Sequence, residues 1–222
     1  MAYGSGYFKT TYEADMALVD TRLRRLALAT LIVGLAVLPR VASPFVLELF
    51  AGEMRARKMG DPLARDTEVG PQARADLREA LHRQLEESVK RGARLVLGGS
   101  VPRGPGAFYP PTILTAVDKG MPAFDEETFG PVAAVVCARD EEDAVRLAYD
   151  STFGLGASLW TASRERAERL AAAIEAGSVF VNGLVKSDPR LPFGGIKRSG
   201  YGRELSEFGI REFVNVKSVW MA

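Results

Sequence analysis

From Pro44 onward, apolar and polar positions follow regular periods. In FVLELFAGEMRARKM, Phe45, Leu49, Met54 and Met59 fall near helical spacing, and Gly60 stops the run. GDPLARDTEVGP then reads as a turn-rich loop. Between Asp76 and Arg91, Leu77, Leu81, Leu85 and Val89 are spaced by four, which predicts an amphipathic helix with Gly92 past its C-terminal end. RLVLGG predicts a strand, and a Gly/Pro-rich loop runs from Val101 to Pro111. Val132 to Ala138, VAAVVCA, is a continuous apolar run, the pattern of a strand covered on both faces. Asp140 suits an N-cap for a helix in EEDAVRLAYDS, and ASLWT is the next strand. Ser163 opens a helix with Ala167, Leu170, Ala171 and Ile174 on one face; Gly177 ends it, and SVFVN is a further strand. Strand and helix alternating over about 50 residues predict an α/β fold with parallel strands.

The first 44 residues have a different texture. Residues 1–25 show no sustained period and end in a basic cluster, Arg22, Arg24 and Arg25. An uninterrupted apolar run of 13 residues follows, Leu26 to Leu38. A membrane span needs about 20 such residues. The basic cluster, the apolar run and Val41–Ser43 together resemble a signal peptide. Against that, the basic residues sit far from Met1 and nothing downstream reads as secreted. A buried strand or helix, or sequence never selected to fold, are the other readings.

Composition narrows the chemistry. A hydrophobic fraction of 47% and a charged fraction of 26% belong to an ordinary globular chain. Lys+Arg 29 against Asp+Glu 28 gives a net charge of +1, which favours neither nucleic acid nor an anionic membrane as partner. One cysteine makes no internal disulfide, which fits a reducing, cytoplasmic setting. One Cys and one His do not build a zinc site, so no metal is expected. His82 lies one residue off the apolar stripe of its helix and reads as a solvated residue rather than a ligand or base. Cys137 falls inside the predicted central strand, where a thiol is desolvated and unreactive. It shares a strand face with Arg139, which leaves a reactive thiol as the alternative.

Two glycine-rich stretches stand out: EETFGPV (Glu126 to Val132), and LPFGGIKRSGYGREL (Leu191 to Leu205), with Lys197, Arg198 and Arg203 among its glycines. Such density permits close backbone approach, in a loop that wraps a ligand or in a tight surface crossing without one. Neither fits a Walker pattern or a dinucleotide-binding G-x-G-x-x-G. MGDPLARDTEVGP, GPGAFYPPTIL, EETFGPV, STFGLGASLWT, AGSVFVNG and PFGGIKRSGYGRE occur here in that order. In this they resemble the C-terminal half of the NAD(P)-dependent aldehyde dehydrogenases. The resemblance runs from about Phe45 to Trp220, and the last 40 residues look most like the succinate-semialdehyde dehydrogenase branch.

The resemblance implies the catalytic-domain half of the aldehyde dehydrogenase fold: α/β, a parallel or mixed sheet flanked by helices, and a C-terminal oligomerisation strand. Residues 1–44 form an unmatched segment, disordered or non-native; 45–210 the α/β core; 211–222 the tail. In the family a thiolate attacks the aldehyde, hydride passes to NAD or NADP, and a glutamate-activated water hydrolyses the thioester. By resemblance, Glu127 would accept hydrogen bonds from the nicotinamide-ribose hydroxyls, and Phe129 would pack near the nicotinamide ring. Phe193 resembles a wall of the aldehyde pocket, and the loop with Ser187 and Arg190 is where a substrate carboxylate is expected. For Arg190 a surface ion pair is the competing reading. The tail EFVNVKSVW alternates apolar and polar residues like an edge strand that pairs subunits, so the partners implied are a small aldehyde and a homo- or hetero-oligomer.

The family's nucleophile lies in a G-Q-x-C stretch before the position of Phe45. Counting back lands near Thr30, where this chain has no cysteine. The general-base glutamate, the oxyanion asparagine and the dinucleotide domain also precede the match, and nothing in 1–44 resembles them. The expectation is a truncated family member with no catalytic residue of its own, inactive alone, or an assembly module that pairs with a complete subunit.

Overall fold

The structure is a computed structural model that describes residues 8–12, 34–39 and 43–222. A seven-stranded sheet forms its middle layer, built from β1 (Phe8–Tyr12), β2 (Gly34–Pro39), β3 (Arg94–Leu97), β4 (Thr112–Thr115), β5 (Val132–Ala138), β7 (Gly156–Trp160) and β8 (Ser178–Val181). Their order is β3-β4-β5-β2-β1-β7-β8, with β3 antiparallel to β4 and every other pair parallel. A two-stranded antiparallel ribbon, β6 (Phe153–Gly154) with β9 (Ile196–Lys197), stands apart. The helices are α1 (Ser43–Ala56), α2 (Ala75–Lys90), α3 (Pro122–Asp125), α4 (Glu141–Tyr149), α5 (Arg164–Ala173) and α6 (Ser206–Arg211).

Strand alternation sends successive side chains to two cores. On one face Val132, Ala134 and Val136 of β5 and Leu114 of β4 pack with Leu81 and Leu85 of α2 and Phe124 of α3. On the other, Ala133 and Val135 of β5 and Ile113 of β4 pack with Val46, Phe50 and Met54 of α1 and with Trp160 of β7. A helix layer on each side makes β5 the doubly covered strand that its apolar run predicts.

Several local expectations hold. Asp140 caps α4, its side chain accepting from the backbone N–H of Asp143 at 2.8 Å, and Ser163 caps α5 by accepting from Arg166 N–H at 3.1 Å. Gly92 ends α2 at φ +112, where Ala93 N–H reaches the Ser88 carbonyl and Gly92 N–H the Val89 carbonyl, a Schellman closure.

Others need correction. The buried stripe of α1 is Val46, Phe50 and Met54, one residue on from the predicted Phe45 and Leu49, and Phe45 is 46% exposed. α1 also stops at Ala56, short of Gly60, because Met59 turns away to bridge Val69. β4 lies in a stretch that gave no period to read, since four buried residues in a row carry none. In the segment 1–44, expected as disordered or non-native with a buried strand or helix as another reading, residues 8–12 and 34–39 form β1 and β2. They sit in the centre of the sheet between β5 and β7, and β2 takes up the end of the apolar run. The basic cluster, Thr30, the rest of that run and Arg40, Val41 and Ala42 lie outside the described residues, while Ser43, the last residue of the signal reading, begins α1. The tail, expected as a strand, has no regular structure after α6, for a lone edge strand has no ladder to join.

Candidate active site

The row Ala133, Gly34, Phe8, Gly156 and Ser178 crosses the sheet at the N-terminal ends of β5, β2, β1, β7 and β8. Both glycine-rich stretches gather along this edge.

Helix α2 fixes the first of them. The Gln84 side-chain amide donates to Glu126 Oε2 at 2.9 Å and to the Glu127 carbonyl at 3.2 Å. One turn on, the buried Ser88 hydroxyl donates to the Gln84 carbonyl at 2.8 Å and accepts from Ala123 N–H at 2.9 Å, tying α2 to α3. Gly130 has φ +152, and a Cβ there would collide with the side chains of Gln72 and Leu81, so only glycine lets the turn lie this close to α2. Pro131 O then accepts from Thr112 N–H at 2.8 Å as the chain enters β5. Glu127 ends half-buried and the Phe129 ring 48% exposed, side by side on one turn. A half-buried acceptor beside an open aromatic face fits the diol and ring of a nicotinamide nucleoside.

The second stretch is held by its own cations. Lys197 Nζ donates to the carbonyls of Tyr149 at 2.9 Å and Ser151 at 3.1 Å, and lies 3.7 Å from the centre of the Tyr149 ring. Arg203 donates to the carbonyls of Gly195 at 2.9 Å and Gly202 at 2.6 Å. Phe193 and Glu204 exchange two backbone hydrogen bonds of 2.8 Å. A Cβ at Gly177, just before β8, would run into the carbonyl of Gly194. These contacts spend Lys197 and Arg203 on backbone oxygens and hold Phe193 against β8.

A cavity of about 350 Å³ opens there, lined by β8 from Ser178 to Val181, by Lys186 and Asp188, and by Leu191, Pro192 and Phe193. Phe193 thus lines a cavity. Ser187 and Arg190 do not line it, and both are exposed. Arg190 instead clasps Asp188, with Nε to Oδ1 at 2.9 Å and Nη2 to Oδ2 at 2.6 Å, while its backbone N–H reaches Oδ1 at 3.0 Å. That guanidinium holds the Asp188 carboxyl well below the usual carboxylate range. The surface ion pair is what the geometry shows for Arg190. The strand ends that carry Glu127–Phe129 and Phe193 share an edge but stand four strand spacings apart, roughly 19 Å.

Cys137 requires a correction. It is exposed, not buried. It points to the α1 side with Ala133 and Val135, but it is the penultimate residue of β5, paired with Leu38 near the end of β2. The apolar run hid this, since a strand end carries the same residue types as its middle. The thiol lies five residues beyond Val132, roughly 17 Å of extended chain from the edge that carries Glu127 and Phe129. Arg139 bonds Asp143 at 3.1 Å and 3.2 Å through its guanidinium, so it serves helix α4. His82 also differs from a simply solvated residue: Nδ1 lies 3.0 Å from the hydroxyl of buried Tyr109, and Nε2 3.5 Å from Glu86. Among the described residues no His/Cys/Asp/Glu group could hold a metal ion, and no helix is long and apolar enough to cross a membrane.

Helices on both faces of a mixed sheet, with an acidic-aromatic turn and a glycine-rich loop on one sheet edge, define an α/β framework with two loop clusters on the same side. Residues 33–219 match the model of the aldehyde dehydrogenase family, and the chain belongs to that family. Within it, the chain is 51% identical over 180 residues to succinate semialdehyde dehydrogenase [NAD(P)+] Sad of Escherichia coli, covering 81% of this chain and 39% of that protein. It is 47% identical over 176 residues to a succinate-semialdehyde dehydrogenase [NADP(+)] of Mycobacterium leprae, covering 79% of this chain and 38% of that one. Among solved structures, succinic semialdehyde dehydrogenase from Streptococcus pyogenes in complex with NADP+ superposes with a TM-score of 0.89 at 34% identity, covering 98% of this chain and 49% of that chain. The chain therefore spans about two fifths of the length of these curated relatives.

Proposed function

We propose that this chain carries part of the site of an NAD(P)-dependent aldehyde dehydrogenase acting on a short semialdehyde such as succinate semialdehyde. In this reading residues 45–210, completed by β1 and β2 at the centre of the sheet, form the catalytic-domain core and 211–222 a tail for subunit pairing. Glu127 accepts hydrogen bonds from the nicotinamide-ribose hydroxyls, and Phe129 covers one face of the ring against water. The nucleotide, NAD or NADP, supplies the hydride acceptor. Phe193 walls the aldehyde pocket, with the Ser187–Arg190 loop at its rim. A cytoplasmic location is the setting that a single cysteine, with no internal disulfide to form, fits.

The observation that carries the proposal is that Glu127 and Phe129, before β5, and Phe193, beside β8, lie on the same sheet edge while Cys137 stands at the other. A thiol that far from the carbonyl carbon forms no thiohemiacetal, so the 222 residues by themselves bind or position substrates without turning them over. Incubating the purified chain with succinate semialdehyde and either nucleotide is expected to give no NAD(P)H absorbance. Turnover that persists in Cys137→Ser refutes the inactivity, and a covalent adduct mapped to Cys137 refutes the assignment of the edge. A second reading, an assembly module that joins a complete family subunit, draws on the tail, where Phe213 is 92% and Trp220 89% exposed. Co-purification with a full-length relative separates the two.

A further inference from the structure

We infer that Lys186, rather than Arg190, is the cation that selects a carboxylate-bearing substrate in the cavity beside Phe193. This rests on the reading of that cavity as the aldehyde pocket. Lys186 lines the cavity and Arg190 does not. Asp188, also in the wall, has both carboxylate oxygens occupied by the Arg190 guanidinium, so the pair is close to neutral toward a ligand. Among the described residues Lys186 makes no ion pair, although it lies near enough to Asp188 to help lower its pKa. One uncompensated positive charge is thus left at the wall. The remaining wall is mostly apolar, from Val179, Val181, Leu191 and Phe193.

A cavity of about 350 Å³ falls at the small end of ordinary ligand pockets and suits a short chain rather than a long or bulky one. A short aliphatic aldehyde ending in a carboxylate matches each feature: methylenes against the valines and Phe193, and the anion at the ammonium of Lys186. An uncharged aldehyde of the same length gains nothing from that lysine. Lys186 therefore sets specificity without touching the reacting carbon.

The test uses the full chain, with butyrate as an inert monocarboxylate probe and butanol as its uncharged counterpart, titrated by NMR while the Leu191–Phe193 signals are followed. Lys186→Gln is expected to weaken butyrate about fivefold and to remove most of its salt dependence, leaving butanol unchanged. Removing the neutral pair as a unit, Asp188→Asn with Arg190→Gln, is expected to change butyrate affinity by less than about twofold. Butyrate binding that ignores Lys186, or that collapses only in the double variant, overturns the inference while leaving the pocket reading intact. If butyrate shifts no signal at Leu191–Phe193, the inference and the pocket reading fall together. The melting curve of Lys186→Gln, an exposed substitution, verifies that the variant is folded.

Discussion

At the scale of single residues, the sharpest chemistry outside the site belongs to Tyr109. Its ring is 1% exposed, and burial, aided by the nearby Glu86 charge, pushes its phenol up to about 12. The folded state therefore keeps its proton where an unfolded tyrosine, with a pKa of about 10, has lost it. The stability this lends is complete below pH about 10 and drains away as the pH climbs towards about 12. Tyr109→Phe is expected to flatten the loss of stability across that alkaline window, measured as denaturation midpoints at a series of pH values. An equal slope in both proteins would show that the hydroxyl is not the titrating group. Neither the burial of Tyr109 nor its contact with His82 is visible in the local sequence, because the partners are 27 positions apart. The same separation of sequence from space explains Cys137, whose neighbours named the strand but not the end of it that lies open.

Helix α2 works at the scale of elements. Its apolar stripe was legible, and Leu81 and Leu85 are buried as the spacing predicts. Its polar side was not legible as a support. Gln84 and Ser88 reach α3 and the turn before β5, so a helix with no proposed ligand contact shapes the turn that carries Glu127 and Phe129. Replacing Gln84 by Ala removes two hydrogen bonds from that turn. Hydrogen exchange at residues 126–131 is expected to accelerate several-fold, while the amides of β5 stay protected. Unchanged exchange would mean that Gly130 packing alone fixes the turn. The caps offer a simpler check: Asp140→Ala should cost about 1 kcal/mol by urea denaturation, the loss of one satisfied N-terminal amide on α4.

On the scale of the whole molecule, the exposed apolar residues cluster in the tail. Phe213, Val214, Val216, Val219, Trp220 and Met221 are all exposed and follow α6 without a strand partner. Surface of this kind promotes association. Ending the chain at Arg211 is expected to leave the thermal transition within about 3 °C of the original while lowering concentration-dependent self-association in sedimentation. A large fall in thermal stability would show instead that the tail packs on the core.

The sequence by itself determined the alternation of strands and helices after Pro44, two helix caps, the doubly covered β5 and, through six ordered motifs, the family. Those features are local or periodic, so neighbouring residues suffice to encode them. Only the tertiary structure decided which elements meet. It placed β1 and β2 at the centre of the sheet, turned Arg190 onto Asp188 and away from the cavity, put Lys186 in its wall, and set Cys137 at the edge opposite Glu127. Each of these depends on how strands are ordered and how a loop folds back, and contacts between distant residues leave no period in the chain from which to read them.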